Sequence, residues 1–368
     1  MNAVKVFTVI GARPQFVKAA AVSRAVPAHN AAGVGRRVDE RIIHTGQHYD
    51  DNMSKVFFDQ LQIPRPQVNL EVGSGTHGQQ TARMIERIES LLIAEPPDWV
   101  LVYGDTNSTL AAALAAVKLH LRIAHVEAGL RSFNRAMPEE INRVVTDVLS
   151  AMLLCPTDVA VANLAAEGVT AGVHQVGDVM YDSVLHNAQL AHRHSQILAT
   201  LGLPAKGYYL ATIHRAENTD EPSRLAGIIE ALGAVDKPTV LPLHPRTRKT
   251  LGAGLEKLAS KVRVIDPVPY LDMLELEAGA RLILTDSGGV QKEAYWFSVP
   301  CVTLRDQTEW VELVTAGCNR LAGTSAQAIL EAVRSFEAAD CRLDAQAVSL
   351  YGDGASSRRI VELLAANA

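Results

Sequence analysis

The chain has 368 residues, of which 48% are hydrophobic and 20% are charged, values typical of a soluble globular protein. This length exceeds what one hydrophobic core usually organises, so we expect two domains. The formal net charge of -5 argues against a general basic surface that binds nucleic acid.

The chain begins with a segment that is typical of a β-strand. Residues 1–10 lack a basic leader and a small-residue cleavage site, and the sequence contains no apolar run long enough to span a bilayer. The cysteines lack the paired spacing of a zinc site and are too few for a disulfide framework: Cys155, Cys301, Cys318 and Cys341. We therefore expect a cytoplasmic protein without a membrane partner.

Short apolar runs rich in β-branched residues alternate with longer segments of helical periodicity. In the first half, the predicted strands are Val4–Ile10, Arg41–His44, Trp99–Tyr103 and Ile123–Val126. In the second half, they are Tyr208–Ile213, Thr239–Leu243, Val262–Ile265, Leu282–Thr285 and Cys301–Leu304. This alternation predicts an α/β protein whose parallel sheets are covered on both faces.

Three glycines interrupt the helical pattern between residues 163 and 177, namely Gly168, Gly172 and Gly177. Such an interruption is typical of a crossing between domains. We therefore predict an N-terminal domain of residues 1–170 and a C-terminal domain of residues 171–353.

Unusual polar residues follow six of the predicted strands: Arg13, Asp105, Glu127, His214, His244 and Asp286. In open parallel sheets, ligands bind beyond the carboxyl ends of the strands. The repeated placement predicts one or more ligand sites at these ends.

The segment Asp286-Ser287-Gly288-Gly289 follows a predicted strand and begins a helix. Free backbone N–H groups and the positive end of a helix dipole suit a phosphate there. The alternative is a plain serine N-cap with a tight turn. Glu293, about six residues into that helix, is placed to accept hydrogen bonds from a ribose diol.

Arg13 and Lys18 lie at and just after the start of the first predicted helix, so both cations could reach one anion such as a pyrophosphate. Their alternative role is solvated surface.

Three carboxylates are candidate acid/base groups. Asp105 precedes an Ala-rich helix and could be its N-cap, and Glu127 ends an apolar strand and could instead pair with Arg131. Glu139 follows Pro138 at a helix start, where it could simply complement the helix dipole. The apolar face of this helix is predicted to comprise Ile141, Val144, Val145, Val148, Leu149 and Met152.

His214 directly precedes Arg215, and His244 lies two residues before Arg246. The neighbouring arginines indicate an anionic ligand, although both histidines could instead be core residues. His44 and His48 lack a third ligand at metal-site spacing, so we expect no zinc site.

Taken together, several motifs resemble the non-hydrolysing UDP-N-acetylglucosamine 2-epimerases. They are Gly-Ala-Arg-Pro-Gln-Phe-Val-Lys (11–18), Tyr-Gly-Asp-Thr-Asn-Ser-Thr (103–109), His-Val-Glu-Ala-Gly-Leu-Arg-Ser (125–132), Pro-Glu-Glu-Ile-Asn-Arg (138–143), Ile-His-Arg-Ala-Glu-Asn (213–218), Asp-Ser-Gly-Gly-Val-Gln-Lys-Glu-Ala (286–294) and Tyr-Gly-Asp-Gly (351–354). Their order and spacing over this length make the resemblance highly specific.

The resemblance implies a glycosyltransferase-B-like fold, with two Rossmann-like doubly wound domains facing a cleft and a C-terminal helix, residues 354–368, packed back on the first domain. It also implies a homodimer that acts in surface polysaccharide synthesis and requires neither a cofactor nor a metal.

In such a family, UDP is eliminated to leave a 2-acetamidoglucal and then adds back after protonation of carbon 2 from the opposite face. By resemblance, Asp105, Glu127 and Glu139 are the acid/base candidates, and His214 is a further catalytic candidate. The residues expected to bind UDP are Arg13, Lys18, His214, His244, Ser287, Gly288, Gly289 and Glu293.

One departure from the family pattern is Trp310, where many members carry arginine. Gln15, Trp310 and the segment Phe133-Asn134-Arg135 look more like the subgroup that epimerises UDP-2,3-diacetamido-2,3-dideoxyglucuronic acid, which is the alternative substrate. A hydrolysing epimerase, a retaining glycosyltransferase and a non-catalytic UDP-sugar sensor are the remaining alternatives.

Overall fold

A computed structural model describes residues 3–47, 64–243, 245–251, 258, 262–338 and 349–368. The chain divides into two compact units. Unit 1 comprises Met1–Leu185 and Tyr351–Ala368, and unit 2 comprises His186–Leu350. Among the residues so described, no helix is both long and apolar enough to cross a bilayer.

Unit 1 contains a parallel sheet. Its described strands are β1 (Val4–Ile10), β2 (Val38–His44), β3 (Val68–Asn69), β4 (Trp99–Tyr103), β5 (Arg122–Val126), β6 (Met152–Cys155) and β7 (Val173–Gln175), in the order β3-β2-β1-β4-β5-β6-β7. All five residues of β4 are buried, as expected for a central strand covered on both faces.

The strands of unit 1 alternate with helices. These are α1 (Arg13–Ala32), α2 (His77–Ala94), α3 (Asn107–Lys118), α4 (Pro138–Leu149) and α5 (Asp158–Ala166). A further helix, α6 (Val179–His194), begins in unit 1 and continues into unit 2. The core between the sheet and α2 and α3 contains Phe7, Val9, Met84, Val100 and Val102. The alanines of α3 allow that helix to approach the sheet closely.

Helix α4 confirms the predicted apolar face only in part, because Val144, Val145 and Leu149 are half-buried. Its buried residues are the polar Glu140, Asn142, Thr146 and Asp147, whereas Ile141 and Val148 are exposed. Leu149 ends the helix, and Met152 begins β6 instead of extending the face. The helix turns its polar side inward because Glu140, Asn142 and Asp147 bond with polar and charged groups in or after β4 and β5, as described below.

Unit 1 extends past residue 170, where the glycines indicated a boundary. Strand β7 pairs with β6, with Leu153 opposite Val173, so these residues belong to the first sheet. Gly172 and Gly177 have positive φ angles and flank this short strand. They mark turns within unit 1.

Unit 2 contains a second parallel sheet, with described strands β8 (Tyr209–Thr212), β9 (Thr239–Pro242), β10 (Arg263–Ile265), β11 (Leu282–Thr285), β12 (Cys301–Thr303) and β13 (Asn319–Leu321), in the order β10-β9-β8-β11-β12-β13. Its described helices are α7 (Ile197–Thr200), α8 (Ala216–Thr219), α9 (Pro222–Ala234), α10 (Pro245–Leu251), α11 (Tyr270–Gly279), α12 (Gly288–Trp296), α13 (Val311–Thr315) and α14 (Ala326–Ala338). The central strands β8 and β11 end shortly before His214 and Asp286, two polar residues described below.

The C-terminal helix α15 (Ser356–Ala366) belongs to unit 1 and packs against α1. Its first turn is held by Asp182 of α6, which accepts hydrogen bonds from the backbone N–H groups of Ser356 and Ser357. A carboxylate at a helix N-terminus also complements the helix dipole.

Candidate active site

Lys18 and Glu127 form an ion pair at the carboxyl end of the unit 1 sheet. The Lys18 ammonium donates a hydrogen bond to Oε2 of Glu127, and both side chains are largely buried. Burial opposes the charged ammonium, but attraction to Glu127, and more weakly to Asp105 and Asp178, raises the pKa of Lys18 above its ordinary value. Lys18 is therefore a charged group that several carboxylates surround.

Glu127 has a backbone conformation that glycine ordinarily adopts, with a φ of 70°. Its carboxylate lies against Gly104, where an added Cβ would come within 3.1 Å of Oε2. Strained backbone of this kind often occurs at functional sites, where the surrounding contacts hold it.

Arg131 does not pair with Glu127, so the alternative interpretation of Glu127 as the partner of Arg131 is wrong. The Arg131 guanidinium instead lies 2.7 Å from Oδ2 of Asp147 and bonds to Glu167. Burial opposes ionisation of Asp147, but His125 and Arg131 outweigh it and lower the pKa of this carboxyl.

His125 connects this network to Asp105. Its Nδ1 lies 2.7 Å from Oδ1 of Asp147, and its Nε2 lies 2.8 Å from the carbonyl oxygen of Gly104. The ring is fully buried. It fixes the peptide that immediately precedes Asp105.

Asp105 is not the N-cap of α3, because Thr106 has that role and accepts a hydrogen bond from the backbone N–H of Thr109. The Asp105 carboxylate instead accepts a hydrogen bond from the Arg143 guanidinium, and its backbone carbonyl accepts one from Asn142, at 2.8 Å. Asp105 is therefore held from α4 while its side chain stays partly exposed.

Glu139 is half-buried in the first turn of α4. Within the part of the chain that the structure describes, its carboxylate makes no hydrogen bond or ion pair. A carboxylate at a helix start that is not committed to a protein partner is available to a ligand.

The neighbouring Glu140 is a residue that our sequence reasoning missed. It is 2% exposed, and it bonds to Arg143 at 3.0 Å and to the backbone N–H groups of Ser132 and Phe133. Burial opposes its ionisation, but these donors lower its pKa. The repeated Glu in the motif was the available signal, although adjacent helix positions differ in direction by about 100° and the motif does not say which faces inward.

In unit 2, Asp286 organises the ends of β8 and β11. Its fully buried carboxylate lies 3.1 Å from Nδ1 of His214 and accepts hydrogen bonds from the backbone N–H groups of His214 and Arg215. Burial opposes its ionisation, but His214 and these donors lower the pKa of Asp286. The His214 ring is 46% exposed, so it is fixed at one edge and open to a ligand at the other.

Ser287 caps α12 by accepting a hydrogen bond from the backbone N–H of Val290, as its N-cap interpretation predicted. Gly288 is buried, and an added Cβ would lie 2.3 Å from Oε1 of Glu309. Gly289 is exposed, and an added Cβ there would meet only the Ser287 hydroxyl, at 3.9 Å. The turn at the start of α12 therefore leaves backbone uncovered by side chains at Gly289, as a bound phosphate requires.

Trp310 packs on the Gly288 side of this turn, where its Nε1 donates a hydrogen bond to the carbonyl oxygen of Gly288, at 2.9 Å. The Lys292 ammonium lies 4.1 Å from the centre of its ring. A cation–π contact thus places the Lys292 ammonium beside the Trp310 ring.

Glu293 is 6% exposed and accepts a hydrogen bond from the Tyr270 hydroxyl at 2.9 Å. Glu277 of α11 is completely buried, with no hydrogen-bond partner for either carboxylate oxygen. Burial and the nearby charge of Glu293 raise the pKa of Glu277 well above its ordinary value. Burial likewise raises the pKa of Glu293.

Arg13 is exposed at the start of α1. His244 lies outside the described residues, as do His48 and Cys341. In the described part of the chain, no group of three or more His, Cys, Asp or Glu side chains is arranged to hold a metal ion.

Solved structures identify the class to which this fold belongs. The UDP-GlcNAc 2-epimerase of Methanocaldococcus jannaschii matches 99% of this chain and 100% of its own, with a TM-score of 0.84 and 42% identity. The Neisseria meningitidis UDP-GlcNAc 2-epimerase bound to UDP-GlcNAc matches 99% and 100% of the two chains, with a TM-score of 0.85 and 30% identity. The chain therefore has the glycosyltransferase-B-like class of fold that these epimerases share, as the sequence predicted.

The family follows from sequence comparison. A model of the family described as UDP-N-acetylglucosamine 2-epimerase matches residues 32–365. The UDP-2,3-diacetamido-2,3-dideoxy-D-glucuronate 2-epimerase of Pseudomonas aeruginosa is 53% identical over 98% of this chain and 99% of its own. The chain belongs to the UDP-N-acetylglucosamine 2-epimerase family, which confirms the resemblance seen in its motifs.

Proposed function

We propose that this protein is an isomerase that inverts carbon 2 of a UDP-linked 2-acetamido sugar by eliminating and re-adding UDP. The observation that carries the proposal is the position of Lys18, whose ammonium bonds to Glu127 and is also stabilised by the charge of Asp105. Two carboxylates close to one buried cation support acid/base chemistry on a small ligand.

The reaction must overcome the low acidity of the proton on carbon 2, which has no neighbouring carbonyl. As the bond from carbon 1 to the UDP oxygen breaks, positive character at carbon 1 acidifies this proton. A base then removes it, the C–H electron pair forms the double bond between carbons 1 and 2, and UDP leaves with the electrons of the C–O bond. Re-addition reverses these steps, with the proton delivered to the opposite face of carbon 2.

Two faces of one sugar require at least two acid/base groups. The proposal assigns this work to Asp105, Glu127 and Glu139. Arg143 supports Asp105 through an ion pair, and Lys18 supports Glu127 in the same way. Glu139, which lacks a partner among the described residues, supplies the remaining carboxylate.

The leaving pyrophosphate requires charge stabilisation. The proposal assigns it to the N-terminus of α12, formed by Ser287, Gly288 and Gly289, and to His214, Arg13 and Lys18. His244 and Glu293 complete the nucleotide contacts, with the Glu293 carboxyl facing the ribose diol.

UDP-N-acetylglucosamine is the substrate we propose first, because the family model carries its name. UDP-2,3-diacetamido-2,3-dideoxyglucuronic acid is the alternative, which the identity of 53% to the Pseudomonas enzyme supports. The two sugars should be tested side by side with purified protein.

The deciding experiment follows the product by NMR in D2O. We expect a UDP-linked 2-epimer that carries deuterium at carbon 2, formed without an acceptor sugar. Release of UDP without a UDP-linked epimer would indicate a hydrolysing enzyme, and binding without deuterium incorporation would indicate a sensor. Either result would contradict the proposal.

The proposal extends to a homodimer that works in the cytoplasm and supplies surface polysaccharide synthesis. The exposed apolar residues Ile141 and Val148 of α4 support a subunit contact on that helix. The three described cysteines are free thiols, which supports a reducing compartment.

A further inference from the structure

The loop that precedes α4 exposes an aromatic ring on strained backbone. Phe133 is 77% exposed and has a φ of 57°, in the left-handed region that bulky residues avoid. The other described non-glycine residues with positive φ are polar: Glu71, His120, Glu127, Lys206 and Ser298. Phe133 is therefore unusual both in its conformation and in the exposure of its ring.

Packing does not explain this conformation, because the exposed ring adds little to the core. The loop is instead fixed by Glu140, which accepts hydrogen bonds from the backbone N–H of Ser132 at 2.8 Å, from its hydroxyl at 2.9 Å and from the backbone N–H of Phe133 at 3.0 Å. A buried carboxylate with several donors holds a loop firmly. Contacts of this strength can maintain strained backbone where a function requires it.

The same carboxylate connects Phe133 to Asp105. Glu140 bonds to Nη1 of Arg143 at 3.0 Å, and Nη2 of Arg143 bonds to Asp105. Asn142, between them on α4, also holds the backbone of Asp105. The loop that carries Phe133 and the Asp105 carboxylate are thus both held by the Glu140–Arg143 pair of α4.

We propose that the Phe133 ring packs against the sugar ring of the bound UDP-sugar, and that Glu140 is the positioning residue that holds it there. This inference rests on the proposed function, since it takes the sugar to lie beside Asp105. Aromatic side chains supply large, rigid contact area and are common in small-molecule sites.

We place the Phe133 ring against the sugar and not against the uracil because of the parts of the fold to which Phe133 and the phosphate-type turn belong. Phe133 is tied to Asp105 through Glu140 and Arg143, whereas the phosphate-type turn is at the start of α12 in unit 2. Phe133 should therefore contribute to affinity for the complete UDP-sugar and not to affinity for UDP.

The test measures binding of UDP-N-acetylglucosamine and of UDP by calorimetry. For Phe133→Ala, we expect the Kd of the UDP-sugar to rise about three- to tenfold, the range of a lost aromatic contact, while the Kd of UDP stays within about twofold. Phe133→Tyr should restore wild-type affinity. Glu140→Gln should weaken sugar binding selectively as well, and Val34→Ala, at an exposed apolar residue elsewhere, should change neither constant.

The inference is wrong if Phe133→Ala leaves both constants unchanged, or if it weakens UDP and the UDP-sugar equally. A change in oligomeric state without selective loss of sugar binding would make the ring a subunit contact and would also overturn it. A wild-type protein that binds the UDP-sugar through Phe133 but forms no epimer would contradict the proposed reaction alone. Absence of UDP-sugar binding by the wild type would contradict both.

Discussion

Lys18 of α1 and Glu127 after β5 lie 109 positions apart in the chain and form one hydrogen-bonded ion pair. Since α1 follows the first strand and β5 lies two places away in the sheet, the pair joins helix α1 to the segment after β5 at the carboxyl edge. The contact gives Glu127 a fixed direction despite its strained backbone.

Glu127→Gln should abolish most of the epimerase activity. An amide of the same shape cannot exchange the proton, so we expect the rate to fall by about two to four orders of magnitude. UDP binding, measured by calorimetry, should be retained. Glu71→Gln, at an exposed glutamate, is the matched control. A rate within about tenfold of the wild type would remove Glu127 from the acid/base set.

Asp105 and Arg143 should act as a unit. We expect Asp105→Asn and Arg143→Gln each to lower kcat, and the double variant to be little worse than Asp105→Asn, because the pair is in direct contact. Arg143→Lys should recover only part of the activity, since lysine lacks the fork that reaches both Asp105 and Glu140. Strictly additive losses in a double-mutant cycle would contradict this coupling.

Asp147→Asn should destabilise the fold by about 3–5 kcal/mol, because it leaves the Arg131 charge buried with one partner fewer. The folded state lowers the pKa of Asp147, so its contribution is complete above the ordinary carboxyl pKa and is lost as the pH falls through the folded pKa. Urea unfolding should show a difference between wild type and variant that is constant near neutral pH and shrinks below about pH 4. A difference that grows on acidification would refute this assignment.

Glu277→Gln should stabilise the protein at high pH. The folded state raises the pKa of Glu277, so the wild type loses stability as the pH rises above the unfolded carboxyl pKa, and the variant does not. We expect a gain of about 1 kcal/mol or more at pH 8 and almost none at pH 4.5, measured by urea unfolding. If Glu277→Gln destabilises the protein at pH 8, the negative charge of Glu277 stabilises the folded state, which would contradict this prediction.

Val148→Asp should convert the proposed dimer into a monomer. A charge in an apolar subunit contact lacks a partner and costs several kcal/mol. Light scattering coupled to size-exclusion chromatography would give the mass, and Val34→Asp on an exposed apolar residue outside α4 is the control. If the Val148→Asp protein keeps the mass of the wild type, α4 is not part of the interface.

The sequence was sufficient where periodicity and turn chemistry agree. The bounds of β1, β4 and β11 match those predicted, because each is a largely apolar run that glycine or aspartate follows. The serine cap of α12 also follows directly from its motif. In these segments local preference and tertiary packing favour the same structure.

The sequence was insufficient where tertiary bonding overrides pattern. Helix α4 has a regular apolar stripe, yet its buried side carries Glu140 and Asp147, because Arg143, Arg131 and His125 are placed to satisfy those charges. No local signal reveals which charges will meet partners from distant segments. For the same reason, the sequence predicts Lys18 as a phosphate ligand or a surface residue and does not reveal its ion pair with Glu127.

Helix α4 is therefore subject to two separate constraints on its angular register. Glu140, Arg143 and Asp147 must point inward, whereas Ile141 and Val148 point outward. Each residue of an α-helix advances by about 100°, so inserting or deleting a single residue between Glu140 and Asp147 would swing part of one side into the other's place. The length of α4 between Glu140 and Asp147 is therefore fixed by the contacts on both sides of the helix.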